Sequence, residues 1–400
     1  MKQIATKDAV GNVLCHDITQ IVPGQFKGAR FTKGHVVTEE DIPVLLSLGK
    51  EHLYVWEKDD RMYHENEAAG ILYRICVGED GGGCFAAGEP SEGKINITAA
   101  MDGLLKADAP LQDALNGMGE LVIASRHGNT TVKKGDLICG TRVVPLVIEK
   151  AKMERAVAAA AGRPIFRLLP FKKKRVGLVT TGTEVFLGRI EDKFGPVLRA
   201  KVEEFGSEIM GQTITDDDPA HIEEAIRSFL EKGADMVLCS GGMSVDPDDR
   251  TPLAVRNSVS RVVSYGAPVL PGSMLMLGYV DPEGASQPTS AAEPFAASQD
   301  ALGNDSQPTS AVGSVASGAM EFGLGVTNAA VSAAPRPPIP VVGLPGCVMY
   351  SGRTIFDLVL PRLLADDPVT HEDMARMGRG GLCLKCPTCT FPNCGFGKGA

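Results

Sequence analysis

Three glycine-rich segments in the second half of the chain each follow a short run of apolar and β-branched residues. They are residues 179–184, 239–244 and 343–346. Glycine lets a backbone approach a ligand closely, and backbone N–H groups at such turns can bind a phosphate. In an open α/β sheet, ligands bind beyond the carboxyl ends of the strands. The spacing therefore predicts a pocket for a phosphorylated ligand that is built from three loops.

Two groups of carboxylates accompany these loops, one at residues 216–218 and one at Asp246, Asp248 and Asp249. Mg²⁺ is commonly bound through one or two protein carboxylates together with substrate phosphates. Helix capping is the alternative, because aspartate before a proline that starts a helix is a typical N-cap. We expect Asp218 to cap a helix, and we favour a functional role for Asp249.

Four cysteines lie close together near the end of the chain, at Cys383, Cys386, Cys389 and Cys394. Repeated two-residue spacing lets several thiolates reach one ion, and soft ligands favour zinc or iron–sulfur over Mg²⁺. The spacing is near that of bacterial ferredoxins, although the last gap is four residues and no proline follows. We favour an iron–sulfur cluster, with four-cysteine zinc as the rival and free reduced thiols as the third interpretation.

The composition places the chain among soluble globular proteins of two or three domains. It has 400 residues, of which 44% are hydrophobic and 22% charged, as is usual for that class. A net charge of −9 and an aromatic content of 5% oppose nucleic-acid binding. No stretch of about 20 apolar residues predicts a membrane span, and the first residues do not form a signal peptide. We therefore predict a cytoplasmic protein whose ten cysteines are thiols or metal ligands rather than disulfides.

The glycine loops must be positioned by the elements between them. Strands and helices alternate after residue 175, which predicts a mostly parallel sheet with right-handed crossovers. The predicted strands are residues 176–180, 208–214, 236–239 and 339–342, and the predicted helices are 195–205, 219–230 and 351–364.

The first 165 residues predict a β-rich α+β region. Thr38 starts a helix with Ile42, Leu45 and Leu48 on its apolar face, and Gly49 ends it. A strand follows at residues 53–56, a β-rich unit spans 121–139, and an alanine-rich helix at 150–161 connects this region to the next.

Residues 281–338 differ from the rest in composition. They are rich in Ala, Ser, Gly and Pro, and the pentapeptide at 286–290 recurs at 306–310. Such a segment cannot bury enough apolar surface to offset its ordering entropy. We predict a flexible insertion between two strands of one sheet, with a lid over the site as the alternative. The predicted regions are thus residues 1–165, residues 172–364 with this insertion, and a cysteine-rich metal-binding tail at 365–400.

Several short motifs occur in the order found in one known family. They are residues 180–184, Phe194-Gly195-Pro196, Asp217-Asp218-Pro219, residues 240–244 with Asp249, Pro271-Gly272, and Leu344-Pro345-Gly346. Through these motifs, residues 175–280 and 339–364 resemble the molybdopterin-binding domain of molybdopterin adenylyltransferases and molybdopterin molybdenumtransferases. The resemblance implies a three-layer α/β/α sandwich with a mostly parallel sheet.

The resemblance also implies a set of site residues. Asp249 and Asp217 would match acidic positions that the family uses with Mg²⁺ or molybdate. The pterin and its phosphate would be held by Thr180, Thr181, Gly182, Glu184, Ser240, Gly241, Gly242, Met243, Ser244, Pro271, Gly272, Leu344, Pro345 and Gly346.

The transferase branch of the family is favoured by residues 30–55, which look like the segment preceding this domain in molybdenumtransferases. The implied reaction inserts molybdate into adenylyl-molybdopterin with Mg²⁺ and releases AMP, in molybdenum cofactor biosynthesis. The ligands would be the pterin and molybdate. A further possible partner is a molybdoenzyme that receives the cofactor. A second copy of the chain, in a homodimer, is another.

Two other functions remain open. A non-catalytic molybdopterin carrier or sensor is favoured by Ser273, where a lysine is common in transferases, and by Cys347, where that group often has asparagine. A pyridine-nucleotide or ADP-ribose hydrolase is the other option, because a related amidohydrolase family carries a similar domain. A Rossmann dehydrogenase is disfavoured, since no G-x-G-x-x-G follows the first strand of the α/β region.

Overall fold

The N-terminal half is a β-rich α+β region, as predicted. The computed structural model describes residues 2–22, 25–55, 59–79, 81–281 and 336–399. The elements of this half are β1 (Lys2–Ala5), β2 (Ile18–Val22), β3 (Phe26–Phe31), α1 (Asp41–Ser47), β4 (His52–Val55), β5 (Met62–His64), α2 (Glu65–Val77), β6 (Phe85–Ala87), β7 (Lys94–Ala99), β8 (Gly103–Ala107), α3 (Ala109–Asn116), β9 (Leu121–Ser125), β10 (Thr130–Val132), β11 (Leu137–Val143), β12 (Val147–Glu149), α4 (Lys150–Ala160) and β13 (Phe166–Leu169).

Helix α1 ends before the predicted glycine, but it begins at Asp41, three residues after Thr38, and Glu40 is its N-cap residue. The backbone N–H and hydroxyl of Thr38 both donate to Asp41 at 2.8 Å, and Gly49 takes a φ of +73° just beyond the helix. Leu45 is buried in a small core with β4. A larger core lies between the sheet of β7, β9 and β11 and the helices α2, α3 and α4.

The start of α2 buries a histidine. Nδ1 of His64 accepts from the N–H of Asn66 at 3.2 Å, and its Nε2 lies 2.8 Å from the carbonyl oxygen of Cys15. Burial lowers the pKa of His64 and that of His16 below the ordinary 6.5. The unfolded chain then takes up protons at a higher pH than the folded chain does, so stability is lost as pH falls below about 6.5.

We expect a His64→Gln variant to flatten this pH dependence. The contribution of one such histidine can reach about 1.4 kcal/mol per pH unit. Urea unfolding at about pH 7.5 and about pH 5.5 measures the change in the free energy of unfolding. The exposed His52 supplies the control, and His52→Gln should keep the native slope. Burial also raises the pKa of Glu65 above 4.5, which acts in the opposite direction, so the difference between variants is the decisive quantity.

The second half is built on a six-stranded sheet with the order β15-β14-β16-β19-β18-β17. The first four strands are parallel to one another. Strand β18 runs antiparallel to both of its neighbours, β19 and β17. The elements of this half are β14 (Arg175–Thr181), α5 (Thr183–Phe186), α6 (Phe194–Glu203), β15 (Glu208–Thr215), α7 (Pro219–Glu231), β16 (Met236–Ser240), α8 (Thr251–Ser258), β17 (Arg261–Tyr265), β18 (Met276–Val280), β19 (Ile339–Leu344), α9 (Cys347–Tyr350), α10 (Ile355–Leu364) and α11 (His371–Arg376).

Helices cover both faces of this sheet. Successive strand residues point to opposite faces, and Leu178 packs in the core that contains α6 and α10, whereas Val179 packs in the core that contains α7 and α8. The same alternation separates Leu238 from Cys239. The domain is therefore a three-layer α/β/α sandwich with a mostly parallel sheet, as predicted.

Asp218 caps α7, as its position before Pro219 predicts. Its carboxylate accepts from the N–H of Ala220 at 2.9 Å. An Asp218→Ala variant should lower the free energy of unfolding by about 1 kcal/mol, because one backbone donor of the first turn loses its partner. Urea unfolding measures the loss, and Asp218→Asn, which keeps an acceptor, should recover most of it.

One helix differs from its prediction. The helix predicted at residues 351–364 begins only at Ile355, as α10, and the short helix α9 lies before the predicted range. The hydroxyl of Thr354 accepts from the N–H of Phe356, while the Asp357 carboxylate accepts from the N–H of Thr354. This capping box starts α10 four residues later than predicted, because the helical pattern alone does not reveal a cap inside it.

The insertion at 281–338 connects two neighbouring strands of the sheet, as predicted. Val280 at the end of β18 pairs with Ile339 at the start of β19. Residues 282–335, on which the predicted flexibility and the lid hypothesis fall, lie outside the described residues.

The cysteine-containing tail packs on the α/β domain. The N–H of Leu270 donates to Gly381 and the N–H of Cys383 donates to Leu270, both at 2.8 Å. Phe396 is buried in the core that contains α10. Within the described ranges, no helix combines the length and the apolar character that a membrane crossing requires.

Candidate functional site

The three glycine loops leave the sheet at one edge. The strand register pairs Thr181 with Thr215, Thr180 with Ser240, and Ser240 with Leu344. Since these four strands are parallel, the loops at 180–184, 240–244 and 344–346 and the acidic group at 216–218 all follow carboxyl ends that lie side by side. The convergence that the sequence predicts is therefore present.

The first two loops pack directly on each other. The hydroxyl oxygens of Thr181 and Thr251 are 2.9 Å apart and buried. Gly241 has a φ of +97°, and a Cβ at this position would lie 2.2 Å from the carbonyl oxygen of Thr181. Only glycine fits this close approach of two backbones.

Asp217 holds the first loop. One of its carboxylate oxygens, Oδ2, accepts from both the N–H and the hydroxyl of Thr183, each at 2.9 Å. Asp217 thus connects the end of β15 to the turn after β14, and it stiffens the loop that contains Gly182 and Glu184.

Asp249 holds the second loop. Its Oδ2 accepts from the N–H of Ser244 at 2.7 Å, so its carboxylate does not cap α8. The hydroxyl of Tyr265 donates to the carbonyl of Met243 in the same loop at 3.3 Å. Burial, followed by the negative charge of Asp249, raises the pKa of Tyr265 above 10, which keeps this donor protonated.

Pro271 and Gly272 reach the same edge from the antiparallel strand. Met276 at the start of β18 pairs with Gly343 near the end of β19. Gly272 has a φ of +118° and packs against Ile355, whose N–H donates to the carbonyl of Pro271 at 3.1 Å. This segment therefore anchors the start of α10 beside the third loop.

Several predicted ligand side chains are already engaged inside the fold. Thr180, Thr181 and Ser240 are buried, and the hydroxyl of Thr180 accepts from Gln212 at 3.0 Å. Met243 is buried against Gly343. These side chains shape the loops, and a ligand at the surface would meet other groups.

The groups that remain available to contact a ligand belong mostly to the backbone. Glu184, Ser244 and Gly346 are exposed, and a Cβ at Gly346 would meet no atom within 4 Å. In the part of the chain that the structure describes, the N–H groups of Gly242 and Met243 donate to no acceptor. Two neighbouring amides of this kind can bind an anion.

Residues 177–365 match the family described as "Probable molybdopterin binding domain". This segment contains the sheet edge, the three loops and both aspartates.

Residues 3–57 match a separate family described as "Domain of unknown function (DUF8806)". The likeness of residues 30–55 to a molybdenumtransferase segment therefore stays a prediction.

Curated relatives match a limited part of the chain. A CinA-like protein of Mycobacterium tuberculosis (strain H37Rv) is 43% identical over 77 residues, which are 19% of this chain and 18% of that protein. A CinA-like protein of Mycobacterium sp. (strain MCS) is 39% identical over 87 residues, or 22% of this chain and 21% of that protein. The chain thus spans about a fifth of the length of these relatives.

Solved structures overlap the chain over similar lengths. The molybdopterin biosynthesis enzyme MoaB from Thermus thermophilus is 30% identical with a TM-score of 0.22, and the overlap covers 22% of this chain and 57% of MoaB. The protein CinA from Thermoplasma acidophilum is 24% identical with a TM-score of 0.22, over 23% of this chain and 54% of CinA. The three-layer architecture rests on the strand register and the two cores of this protein.

Some residues that organise the molybdopterin-binding domain are not found from its motifs. Gln212 donates to Thr180 and, at 2.6 Å, to Asp192, and Asp192 in turn accepts from the N–H groups that start α6. Tyr265 and Thr251 also support the loops. Their partners are distant in sequence, so no local spacing indicates them.

The four tail cysteines line one cavity of about 570 Å³, which is also lined by Pro271 and residues 350–353. Cys383 and Cys394 are half-buried, and Cys386 and Cys389 are exposed. All ten cysteines are free thiols.

The predicted metal centres are not formed in the structure. Within the described residues, no three or more His, Cys, Asp or Glu side chains are grouped so that they could hold a metal ion. The tail cysteines share a cavity without forming a ligand set, and the structure therefore does not support an assembled iron–sulfur or zinc site there.

Proposed function

We propose that the loops at 180–184, 240–244 and 344–346 bind molybdopterin and that the protein inserts molybdate into adenylyl-molybdopterin in molybdenum cofactor biosynthesis. The convergence of these loops at one sheet edge, inside the segment that matches the molybdopterin-binding family, is the observation that supports this most. Molybdenum is transferred from molybdate to the two dithiolene sulfurs, with one oxide leaving as water, and water cleaves the phosphoanhydride to release AMP.

The backbone supplies the ligand contacts in this proposal. The N–H groups of Gly242 and Met243 bind the pterin phosphate, because amides without another acceptor favour an anion. Ser244 and Glu184 are exposed and recognise polar edges of the pterin. The buried Thr180 and Ser240 hold the turns that present these groups.

Asp249 and Asp217 have the chemistry to hold Mg²⁺ with the ligand. In each carboxylate a single oxygen, Oδ2, accepts the hydrogen bonds from the loop, which leaves Oδ1 for a cation. One or two carboxylates plus substrate phosphates form the usual Mg²⁺ environment. The ion would balance the charge of the phosphoanhydride and of molybdate, next to an edge that is itself acidic.

The protein's own part in the reaction is positioning. Stiff loops hold the phosphoanhydride and the oxyanion next to each other, which supplies much of the rate enhancement in such transfers. The hydrogen bonds that Asp217 and Asp249 accept from the loops, and the one that Tyr265 donates, serve this purpose.

Molybdate-dependent release of AMP from adenylyl-molybdopterin tests the proposal. We expect release with the full-length protein and Mg²⁺, together with pterin fluorescence that remains with the protein through gel filtration. Bound pterin without AMP release would favour the carrier or sensor. Absence of both pterin binding and AMP release would contradict the proposal.

The pyridine-nucleotide or ADP-ribose hydrolase is the alternative function. Incubation with ADP-ribose and with a pyridine nucleotide distinguishes the two functions. Hydrolysis of either compound, with no molybdate-dependent AMP release, would favour the alternative.

A metal at Cys383, Cys386, Cys389 and Cys394 is a separate proposal. It rests on the single cavity that the four thiols share, and it requires the tail to rearrange so that the thiols converge. Metal and sulfide analysis of anaerobically purified protein tests it. Iron with sulfide would favour the cluster, zinc would favour the four-cysteine site, and absence of both metals would leave free thiols.

A further inference from the structure

A second cavity, of about 640 Å³, lies between the N-terminal half of the chain and the molybdopterin-binding domain. Its walls come from residues around β10, the connection at 170–173, the segment that follows α6, helix α10 and residues 391–393 of the tail. The glycine loops take no part in it. Its volume is typical of a small-molecule site, and sites of this kind occur preferentially between domains.

A buried carboxylate in this cavity holds two cations. Oδ1 of Asp357 lies 2.6 Å from Nζ of Lys201 and 2.9 Å from the guanidinium of Arg353. Its other oxygen accepts from the N–H of Thr354 at 2.8 Å. Because one negative charge is shared by two positive ones, this cluster leaves an excess positive charge on the cavity wall.

The remaining charges on the wall cancel, because Lys133 and Lys173 are matched by Glu204 and Asp102. Asp136 is paired with Arg126 at 3.3 Å. The cavity is also lined by Lys133 and Lys173, whose ammonium groups have no ion-pair partner in the described ranges of the chain, and by Glu204, which likewise has none. The cavity is thus lined by five basic and four acidic residues, in a protein whose net charge is −9.

Three aromatic rings form part of the wall. The guanidinium of Arg353 lies over the ring of Phe391 at 4.8 Å. The rings of Phe171 and Phe205 meet edge to face with centroids 4.9 Å apart. All three phenylalanines are half-buried, so a planar group that enters the cavity can stack against them.

We propose that this interdomain cavity binds a phosphate monoester that carries an aromatic ring, such as a nucleoside monophosphate. The lysines and the cluster at Asp357 receive the phosphate, and the phenylalanines receive the ring. The proposal goes beyond the proposed function, because the site requires neither pterin nor molybdate.

Calorimetric titration of the full-length protein with AMP tests the proposal. We expect saturable binding of one AMP per chain. Lys173→Glu and Lys133→Glu should each weaken it about tenfold or more, since each reverses a charge at the cavity wall. The adjacent Lys172 and Lys134 do not line the cavity, so Lys172→Glu and Lys134→Glu serve as matched controls and should bind AMP as the native protein does.

Two further measurements separate the contributions of charge and ring. Glu204→Gln removes a negative charge from the cavity and should strengthen AMP binding. Ribose 5-phosphate, which has the phosphate without the ring, should bind more weakly than AMP. Pterin binding should be the same in Lys173→Glu as in the native protein.

Three results would overturn the proposal. The first is the absence of saturable AMP binding, and the second is an equal weakening of AMP binding by all four lysine variants. The third is that Asp249→Ala loses AMP binding while Lys173→Glu keeps it. The last result would place AMP at the glycine loops instead. Since none of these assays needs molybdate, failure here is distinguishable from failure of the proposed transferase reaction.

Discussion

An Asp249→Ala variant should lose molybdate-dependent AMP release by about 10²-fold or more while it stays folded. A carboxylate that holds a catalytic cation commonly has an effect of this size. Asp249 is partly exposed at the sheet edge, so its removal leaves no buried charge without a partner. Initial rates of AMP release, with circular dichroism as a check on folding, measure the effect.

Asp249→Asn separates the two roles of this side chain. Asparagine keeps an oxygen that can accept from the N–H of Ser244, as Asp249 does at 2.7 Å, but it lacks the charge. If the charge holds Mg²⁺, the asparagine variant should be as inactive as the alanine variant. Recovery by asparagine would limit Asp249 to positioning the loop. The neighbouring Asp248 is exposed, and Asp248→Ala should release AMP at the native rate.

A Gly241→Ala variant should lose both stability and pterin binding. The new Cβ would lie 2.2 Å from the carbonyl oxygen of Thr181, and the φ of +97° is unfavourable for any side chain. The obstructing atom belongs to the backbone of a neighbouring strand, so it cannot move aside cheaply. We expect the free energy of unfolding to fall by about 2–4 kcal/mol, as measured by urea unfolding.

Gly346→Ala is the matched control for this prediction. Gly346 has a φ of −51°, and a Cβ there would meet no atom within 4 Å, so stability should change by less than about 0.5 kcal/mol. Pterin binding should weaken, however, if the ligand approaches this exposed backbone. A stable Gly346→Ala protein with native pterin affinity would exclude the third loop from the site, and a native-like Gly241→Ala protein would contradict the packing of the first two loops.

The position of the tail connects the two halves of the molecule. Asn393 accepts from Arg126 at 3.3 Å, and the ammonium group of Lys398 donates to the hydroxyl of Thr130. Burial lowers the pKa of Lys398 to about 8. The same tail pairs with Leu270, next to the Pro271-Gly272 segment. Changes in its cysteines are therefore in a position to affect both the loops and the interdomain cavity.

The strands and helices of the α/β half can be predicted closely from the amino-acid sequence. Runs of β-branched residues, a proline after Asp218 and glycines beyond helix ends act over a few residues, so β14, β16 and α7 lie close to their predicted bounds. Each loop motif likewise consists of a few consecutive residues. Because parallel strands end at a common edge, predicting the strands was enough to predict that the loops meet.

The roles of the individual side chains at that edge depend instead on how the layers pack. Thr180 and Ser240 are buried, and Asp217 braces the first loop through Thr183, which lies 34 residues away along the chain. The cavity at Asp357 joins segments from both halves of the chain and from the tail. Contacts between residues so far apart form only when the chain folds. They produce no short-range pattern in a single sequence, so they cannot be predicted from it.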